Sequence, residues 1–313
     1  MKRILIIKLG ALGDFVMSVG TMRRLKERYP DAEFTLQTHR SLVAIGQQMG
    51  MFSDFIIDNR SPYWNLRAQY NVLKQMWGKK FDLVINLQPN HRTNSYYYSM
   101  VRWFASSPFA WTSIFDKTIK HVDKKRAFCW GKQREEEGRL VEFVQTNLGF
   151  LHGENKHFHE LPERFVTLIP GCSPKNAHKR WPAYRFVELA RRLAEHNIHS
   201  VVLGTKSELS EIEEIVHATP FACNMCGKTS LLDIPDLARR SLAAVGNDTG
   251  PSHMTALSGH PMIALFATRT KPCSIRGAQV TNIISSGTID LITVDDVWEK
   301  LSPYLGLSTN QCE

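Results

Sequence analysis

No long hydrophobic run occurs in this sequence of 313 residues. Nothing approaches the roughly 18 apolar residues that span a bilayer, so an integral membrane protein is not expected. The first apolar stretch, residues 4–7, is too short for a secretory signal and meets Lys8 and Gly10 at once. The chain therefore reads as cytoplasmic. Its six cysteines, at 129, 172, 223, 226, 273 and 312, are scattered and make no disulfide framework. Cys223 and Cys226 form a single C-x-x-C without a second pair, so zinc or redox chemistry is not expected there. The first glycine loop is followed by no Gly-Lys-[Ser/Thr], which excludes a Walker A loop, and its glycine spacing does not match the dinucleotide-binding fingerprint. Short-period repeats and low-complexity tracts are also missing.

What is present is an ordinary globular composition, 43% hydrophobic and 22% charged. At about 150 residues per domain, the length predicts two domains. The charge is uneven. Residues 1–160 hold 24 of the 39 basic residues and 15 of the 30 acidic ones, so the entire net charge of +9 lies there. A dense run, Lys117, Lys120, Lys124, Lys125 and Arg126, contributes to it. Such asymmetry predicts an acidic partner for the first half: nucleic acid, an anionic membrane surface or a polyanionic substrate. No nucleic-acid recognition motif accompanies it. Solvated helix faces with no partner are the alternative.

Short apolar runs alternate with helical patterns in both halves. Strands are predicted over 4–7, 34–36, 55–57 and 83–87, with helices over 15–29, 42–49 and up to Gly78. The runs are apolar throughout, as parallel strands covered on both faces should be. The aromatic, basic region 96–130 is left unassigned. A polar, histidine-containing stretch over 151–164 reads as a solvated linker. Beyond it the pattern predicts strands over 165–169, 200–203, 242–245 and 262–266. Helices are predicted over 184–196, 208–217, 232–240, 251–258 and 294–305. The fold class is therefore α/β, with two doubly wound sheets binding ligand at their strand C-terminal ends.

The chemistry-bearing residues sit at those strand ends. Lys8-Leu9-Gly10-Ala11-Leu12-Gly13-Asp14 and Gly246-Asn247-Asp248-Thr249-Gly250-Pro251-Ser252-His253 are both strand–turn–helix segments. In each, free amides and a helix dipole can face an anion. Asp14 reads as an N-cap or as a general base. Pro251 suits the first helical position, leaving Thr249 and the amides around Gly250 to hold a diphosphate. His253 could reach a ligand or cap the loop. A third loop runs from Pro170-Gly171-Cys172-Ser173 to His178-Lys179-Arg180-Trp181-Pro182. It offers a phosphate-facing turn and a cation from Lys179 or Arg180. Glu208 reads either as a ribose ligand or as a first-turn helix acid. Arg60, Arg92 and Lys120 are candidate contacts for an acidic acceptor, or else solvated surface charges.

Lys8…Gly13-Asp14, Phe81-Asp82-Leu83-Val84-Ile85-Asn86-Leu87-Gln88, Pro170-Gly171…Lys179-Arg180-Trp181-Pro182 and the segment over 247–253 together resemble the ADP-heptose:lipopolysaccharide heptosyltransferases, glycosyltransferase family 9. Order and spacing hold over nearly the whole chain. The resemblance implies a GT-B fold, two Rossmann-like doubly wound domains facing across a cleft. An acceptor-binding domain would cover 1–155 and a nucleotide-sugar domain 165–293, with a C-terminal helix over 294–313 packing back on the first. By motif match, Asp14 would be the catalytic base, and Lys179 would stabilise the departing diphosphate. Cys172, Ser173, Glu208, Asp248, Thr249, Gly250 and His253 would bind the donor, and Lys8, Gly13, Arg60, Arg92 and Lys120 the acceptor. Cys172 departs from the family, which usually has a small hydroxyl residue there.

The activity implied is inverting transfer of heptose from ADP-heptose to a hydroxyl of an anionic lipopolysaccharide inner-core acceptor. The setting implied is the cytoplasmic face of the inner membrane. The sequence has no Asp-x-Asp pair and so requires no metal; no cofactor beyond the nucleotide sugar is expected. A cationic first domain suits that setting, since each basic residue near anionic lipid is worth about 1 kcal/mol. Two other readings use the same scaffold. One is a non-catalytic nucleotide-binding protein, against which the presence of both Asp14 and Lys179 argues. The other is a nucleotide-sugar epimerase, whose extra acid and base residues are not identifiable.

Overall fold

The structure, a computed structural model, describes residues 1–88, 90–96, 109–113, 120–122, 129–130, 148–268, 275 and 277–307. The chain forms two compact units, Met1–Thr146 and Asn147–Glu313.

The first unit carries β1 (Arg3–Ile7), α1 (Leu12–Met17), α2 (Val19–Arg28), β2 (Glu33–Thr38), α3 (Val43–Gln48), β3 (Phe52–Ile57), α4 (Leu66–Gly78) and β4 (Leu83–Asn86). Three more strands follow, β5 (Phe109–Ser113), β6 (Lys120–Val122) and β7 (Cys129–Trp130). The sheet order is β3-β2-β1-β4-β5-β6-β7. The first five strands are parallel, and β6 and β7 close the edge antiparallel. These last strands occupy the region that sequence patterning left unassigned. Ile4, Leu5, Ile6 and Ile7 are all buried, because a central parallel strand is covered on both faces. The helix predicted over 15–29 starts earlier and is broken in two at Ser18, whose hydroxyl donates to the Phe15 carbonyl at 2.6 Å.

The second unit holds β8 (Phe165–Ile169), α5 (Ala183–Glu195), β9 (His199–Val202), α6 (Leu209–His217), β10 (Ala222–Asn224) and α7 (Asp233–Arg240). It continues with β11 (Ala243–Asn247), α8 (Gly250–Leu257), β12 (Met262–Phe266), β13 (Val280–Ile284) and α9 (Val294–Leu301). All six strands are parallel, in the order β10-β9-β8-β11-β12-β13. Alternate residues of β8 feed two cores. Val166 and Leu168 pack with Phe186, Leu189 and Val297, while Phe165 and Ile169 pack with Leu203, Leu237 and Ala256. That two-sided burial is why the strand reads as an unbroken apolar run.

One expectation about this unit is corrected. The stretch expected as a solvated linker, 151–164, begins within a strap over 148–160 that is tied to the second unit. Leu148 and Leu151 are buried, and the Leu148 amide donates to the Leu257 carbonyl at 2.8 Å. The Gly153 amide donates to Asp236 at 2.5 Å, and the Asn155 amide group to Asp233 at 3.0 Å, so two first-turn acids of α7 hold the strap. In the C-terminal helix α9, Val294, Val297 and Leu301 lie in the second unit's own core, and Trp298 stacks on His196. The apolar face of the helix is used there.

In both sheets the strand order reverses beside the first strand, between β1 and β4 and between β8 and β11. Loops leaving the C-terminal ends of such a pair of strands diverge and leave a crevice. The segments over 8–14, 170–182 and 247–253 begin at those strand ends.

Candidate functional site

In the first unit the loop after β1 is held from the strand next to it. Gln88, just past β4, accepts from the Leu9 amide at 2.9 Å and donates to the Gly10 carbonyl at 2.5 Å. Gly10 has φ +96°, and a Cβ there would lie 3.0 Å from Leu42, so the loop requires glycine. Lys8 is buried, and its ammonium donates to the Leu87 carbonyl at 3.3 Å. Burial pushes its pKa below the ordinary lysine range, and the Asp14 charge draws it partway back. Asp14 itself is exposed, in the first turn of α1, whose N-cap is Ala11. It is therefore not the N-cap, and its carboxylate is open to solvent. Gly13 is buried within the same turn.

The proposed acceptor cations separate. Arg92 is a structural group: it is only 8% exposed, and its guanidinium reaches Asp58 at 3.3 Å, Gln69 at 3.2 Å and the Tyr96 hydroxyl at 3.1 Å. It also donates to the Ser61 carbonyl, and Tyr96 donates to Asp58. Burial, with the Asp58 contact, pushes the Tyr96 phenol well above its usual range. The expectation of an acceptor contact at Arg92 is thus corrected, because its donors are engaged within the unit. Arg92→Ala would leave the buried Asp58 charge unpaired. It is expected to lower unfolding free energy by about 3 kcal/mol, measured by urea denaturation. Arg60 is exposed, with its amide on Asp58 at 2.8 Å. Lys120 lies on β6.

The second unit contains a cavity of about 270 Å³ at its strand reversal. Cys172 and Ser173 from the loop after β8, Glu208 from the β9–α6 connection, and Thr249 and Gly250 from the start of α8 all line it. Apolar walls come from Leu203, Leu231 and Ile234. Asn247 at the end of β11 clamps the loops together. Its side chain accepts from the Trp181 amide at 2.9 Å and donates to the Pro170 carbonyl at 2.7 Å. This buried residue stands in the motif, yet sequence reasoning assigned it no role; a polar side chain ending an apolar strand was the available signal.

Glu208 both caps a helix turn and lines the cavity. One carboxylate oxygen caps the helix turn, accepting from the Thr205 amide at 2.8 Å and its hydroxyl at 2.9 Å. The other lies against Gly171, where a Cβ would meet it at 2.2 Å. Gly171 is thus required by close approach. Gly250 opens α8, with Pro251 one position on, and no side chain caps this helix end. Its first amides are left for a ligand.

Beside the cavity, Lys179 meets Asp248 at 2.5 Å, and His253 lies 3.5 Å from the same carboxylate. Burial pushes Asp248 upward, but hydrogen bonds from His253 and Lys179 and the lysine charge outweigh it and hold its carboxyl below the usual range. His253 therefore braces Asp248, and Asp248 aims Lys179. Arg180 is spent elsewhere, on Glu211 at 2.6 Å and the Cys172 carbonyl at 2.8 Å. Among the described side chains of this loop, Lys179 is the cation that meets the motif, at Asp248. Burial raises the Cys172 thiol, against the pull of Lys179 and Arg180. Cys223 and Cys226 pack against different cores, and burial raises both. Among the described residues no three His, Cys, Asp or Glu side chains converge as metal ligands, and no helix is long and apolar enough to cross a membrane.

A sequence model for glycosyltransferase family 9 (heptosyltransferase) matches residues 114–291, more than half of the chain. The lipopolysaccharide core heptosyltransferase OpsX of Haemophilus influenzae is 26% identical over 306 residues, covering 85% of this chain and 79% of its own length. The solved E. coli ADP-heptose lipopolysaccharide heptosyltransferase II superposes with a TM-score of 0.73 at 21% identity, covering 97% of this chain and 98% of that one. E. coli heptosyltransferase WaaC with ADP-2-deoxy-2-fluoro heptose gives 0.72 at 16% identity, covering 96% and 99%. The fold is the GT-B fold of these enzymes.

Proposed function

The chain belongs to glycosyltransferase family 9, the heptosyltransferases, and from that membership we propose an inverting transfer of heptose from ADP-heptose to a hydroxyl of an anionic lipopolysaccharide inner-core acceptor. The observation that carries the donor half is the cavity of the second unit, where a free helix end at Gly250, Thr249 and a carboxylate at Glu208 meet. A nucleoside diphosphate needs those three things: amides for phosphate, a hydroxyl donor and an acceptor for ribose hydroxyls. Ser173 and Cys172 complete the phosphate side, and the apolar wall of Leu203, Leu231 and Ile234 suits a planar base.

Asp14 takes the proton of the acceptor hydroxyl as that oxygen forms its bond to the anomeric carbon. The bond from that carbon to the diphosphate breaks in line, its electron pair leaves with ADP, and the configuration inverts. Negative charge grows on the diphosphate. Lys179, held by Asp248, and the dipole and amides at the start of α8 are the groups that offset it. Lys8 adds a buried cation near Asp14 on the loop after β1.

The cation excess of residues 1–160 supports an anionic glycolipid acceptor at the cytoplasmic face of the inner membrane. The test follows ADP release from ADP-heptose with a purified Kdo–lipid A acceptor. Release that depends on both substrates is expected. Release from a different nucleotide sugar only, with none from ADP-heptose, would overturn the donor assignment.

A further inference from the structure

Residues 59–81 contain no aspartate or glutamate but carry Arg60, Arg67, Lys74, Lys79 and Lys80, of which Lys79 is paired with Asp54 of β3. The same stretch displays four large apolar side chains to solvent: Tyr63 is 54% exposed, Trp64 83%, Leu66 75% and Tyr70 54%. They stand close together. The Leu66 amide donates to the Trp64 carbonyl at 2.9 Å, and Leu66 and Tyr70 are one helical turn apart on α4. Exposed singly, such residues need no explanation; clustered with cations and without acids they do.

The cluster is displayed by a built base. Gln69 donates to the Ser61 carbonyl at 3.0 Å and the Pro62 carbonyl at 3.2 Å, and the buried Arg92 ties Gln69 and Ser61 to Asp58. The Arg92 guanidinium also lies 5.2 Å from the centre of the Tyr63 ring. Buried polar groups thus pin the inner side of the loop while its aromatic tip faces water. Holding Trp64 and Leu66 outward in this way exposes apolar area that folding alone would hide, unless something else covers it.

We propose that the β3–α4 loop and the first turns of α4 dock on an anionic lipid bilayer, with Trp64 and Leu66 entering the headgroup region and Arg67, with its neighbouring cations, meeting the lipid phosphates. Tryptophan and tyrosine favour that interface because an apolar ring and a polar edge are both satisfied there. The absence of acids across residues 59–81 removes the repulsion that anionic lipid would otherwise meet. A second copy of this chain would present the same cations to itself, so charge favours lipid. The inference rests on the reading of the acceptor as a membrane glycolipid, and it names the surface that brings the enzyme to it.

The test is flotation of the full chain with phosphatidylglycerol–phosphatidylcholine vesicles and with phosphatidylcholine alone. Wild type is compared with the Trp64→Ser/Leu66→Ser double variant and with Arg67→Glu. Transfer to a deacylated, water-soluble acceptor is followed in parallel. Wild type is expected on the anionic vesicles, more weakly bound in about 1 M salt, where screening shortens to about 3 Å. The double variant should lose about tenfold or more in partitioning, and Arg67→Glu about tenfold at low salt. Transfer to the soluble acceptor should be unchanged in all three. Equal vesicle binding by wild type and the double variant would overturn the proposal, as would binding indifferent to anionic lipid. Self-association of wild type that the double variant abolishes, without a change on vesicles, would assign the surface to a second copy instead. No transfer to the soluble acceptor by wild type would overturn the acceptor reading alone, and flotation would still judge the surface.

Discussion

Asp14→Asn is expected to lower the rate of acceptor-dependent ADP release by about 10²–10⁴-fold, the range for removing a general base. Asparagine keeps the shape and loses only the ability to take a proton. Stability should barely change: Asp14 is exposed and caps nothing, so losing its first-turn charge on α1 amounts to about 0.3–1 kcal/mol. Every residue lining the cavity proposed for the donor belongs to the second unit, so ADP affinity measured by calorimetry should stay at the wild-type value. That combination, turnover lost with donor binding and folding kept, separates a base from a scaffold residue. A rate within about fivefold of wild type, well short of the 10²-fold lower bound, would remove Asp14 from the mechanism.

Lys179→Ala should cost about 10²–10³-fold in turnover, the usual loss when one preorganised group facing developing negative charge is deleted. It should also change acid stability. In the wild type the Asp248 pKa is depressed, so its contribution to stability is present above the unfolded carboxyl value of about 3.9 and is lost as pH falls through the lower folded value. Without Lys179 the burial that pushes Asp248 upward is opposed by His253 alone. The depressed value should therefore rise, and acid unfolding, followed by circular dichroism, should begin at a higher pH. Turnover and acid stability are separable outcomes. A shifted acid transition with undiminished turnover would make Lys179 a structural partner of Asp248 and nothing more.

The strands of both sheets were legible wherever both faces are covered, since a central parallel strand such as β1 or β8 leaves an unbroken apolar run. The edge strands of the second sheet were not. β10 and β13 are only partly buried and carry Asn224, Thr281 and Asn282, so no such run marks them. The strap over 148–160 looked like a linker because its anchors are backbone amides and the distant Asp233 and Asp236. Arg92 looked like a surface cation for the same reason: its partner Asp58 is 34 residues away, and no local pattern announces the pair.

By itself, then, the sequence determined the α/β class, the motif loops at the strand ends, the placing of the net positive charge in the first half, and the chemical types on offer: a carboxylate at 14, a cation at 179 and a free helix start at 250. These follow from local periodicity and residue chemistry, which neighbours in the chain suffice to set. Only the tertiary structure decided which group does what. It spent Arg180 on Glu211 and left Lys179 to Asp248, and it split the two oxygens of Glu208 between a cap and the cavity. It made Asn247 the clamp on both ends of the 170–182 loop, 66 and 77 residues away, and it buried Arg92 beneath an exposed aromatic tip. Those outcomes depend on burial and on hydrogen bonds between residues far apart in the chain. A buried polar group must find its partner wherever folding brings one, and spacing along the sequence does not record where that is.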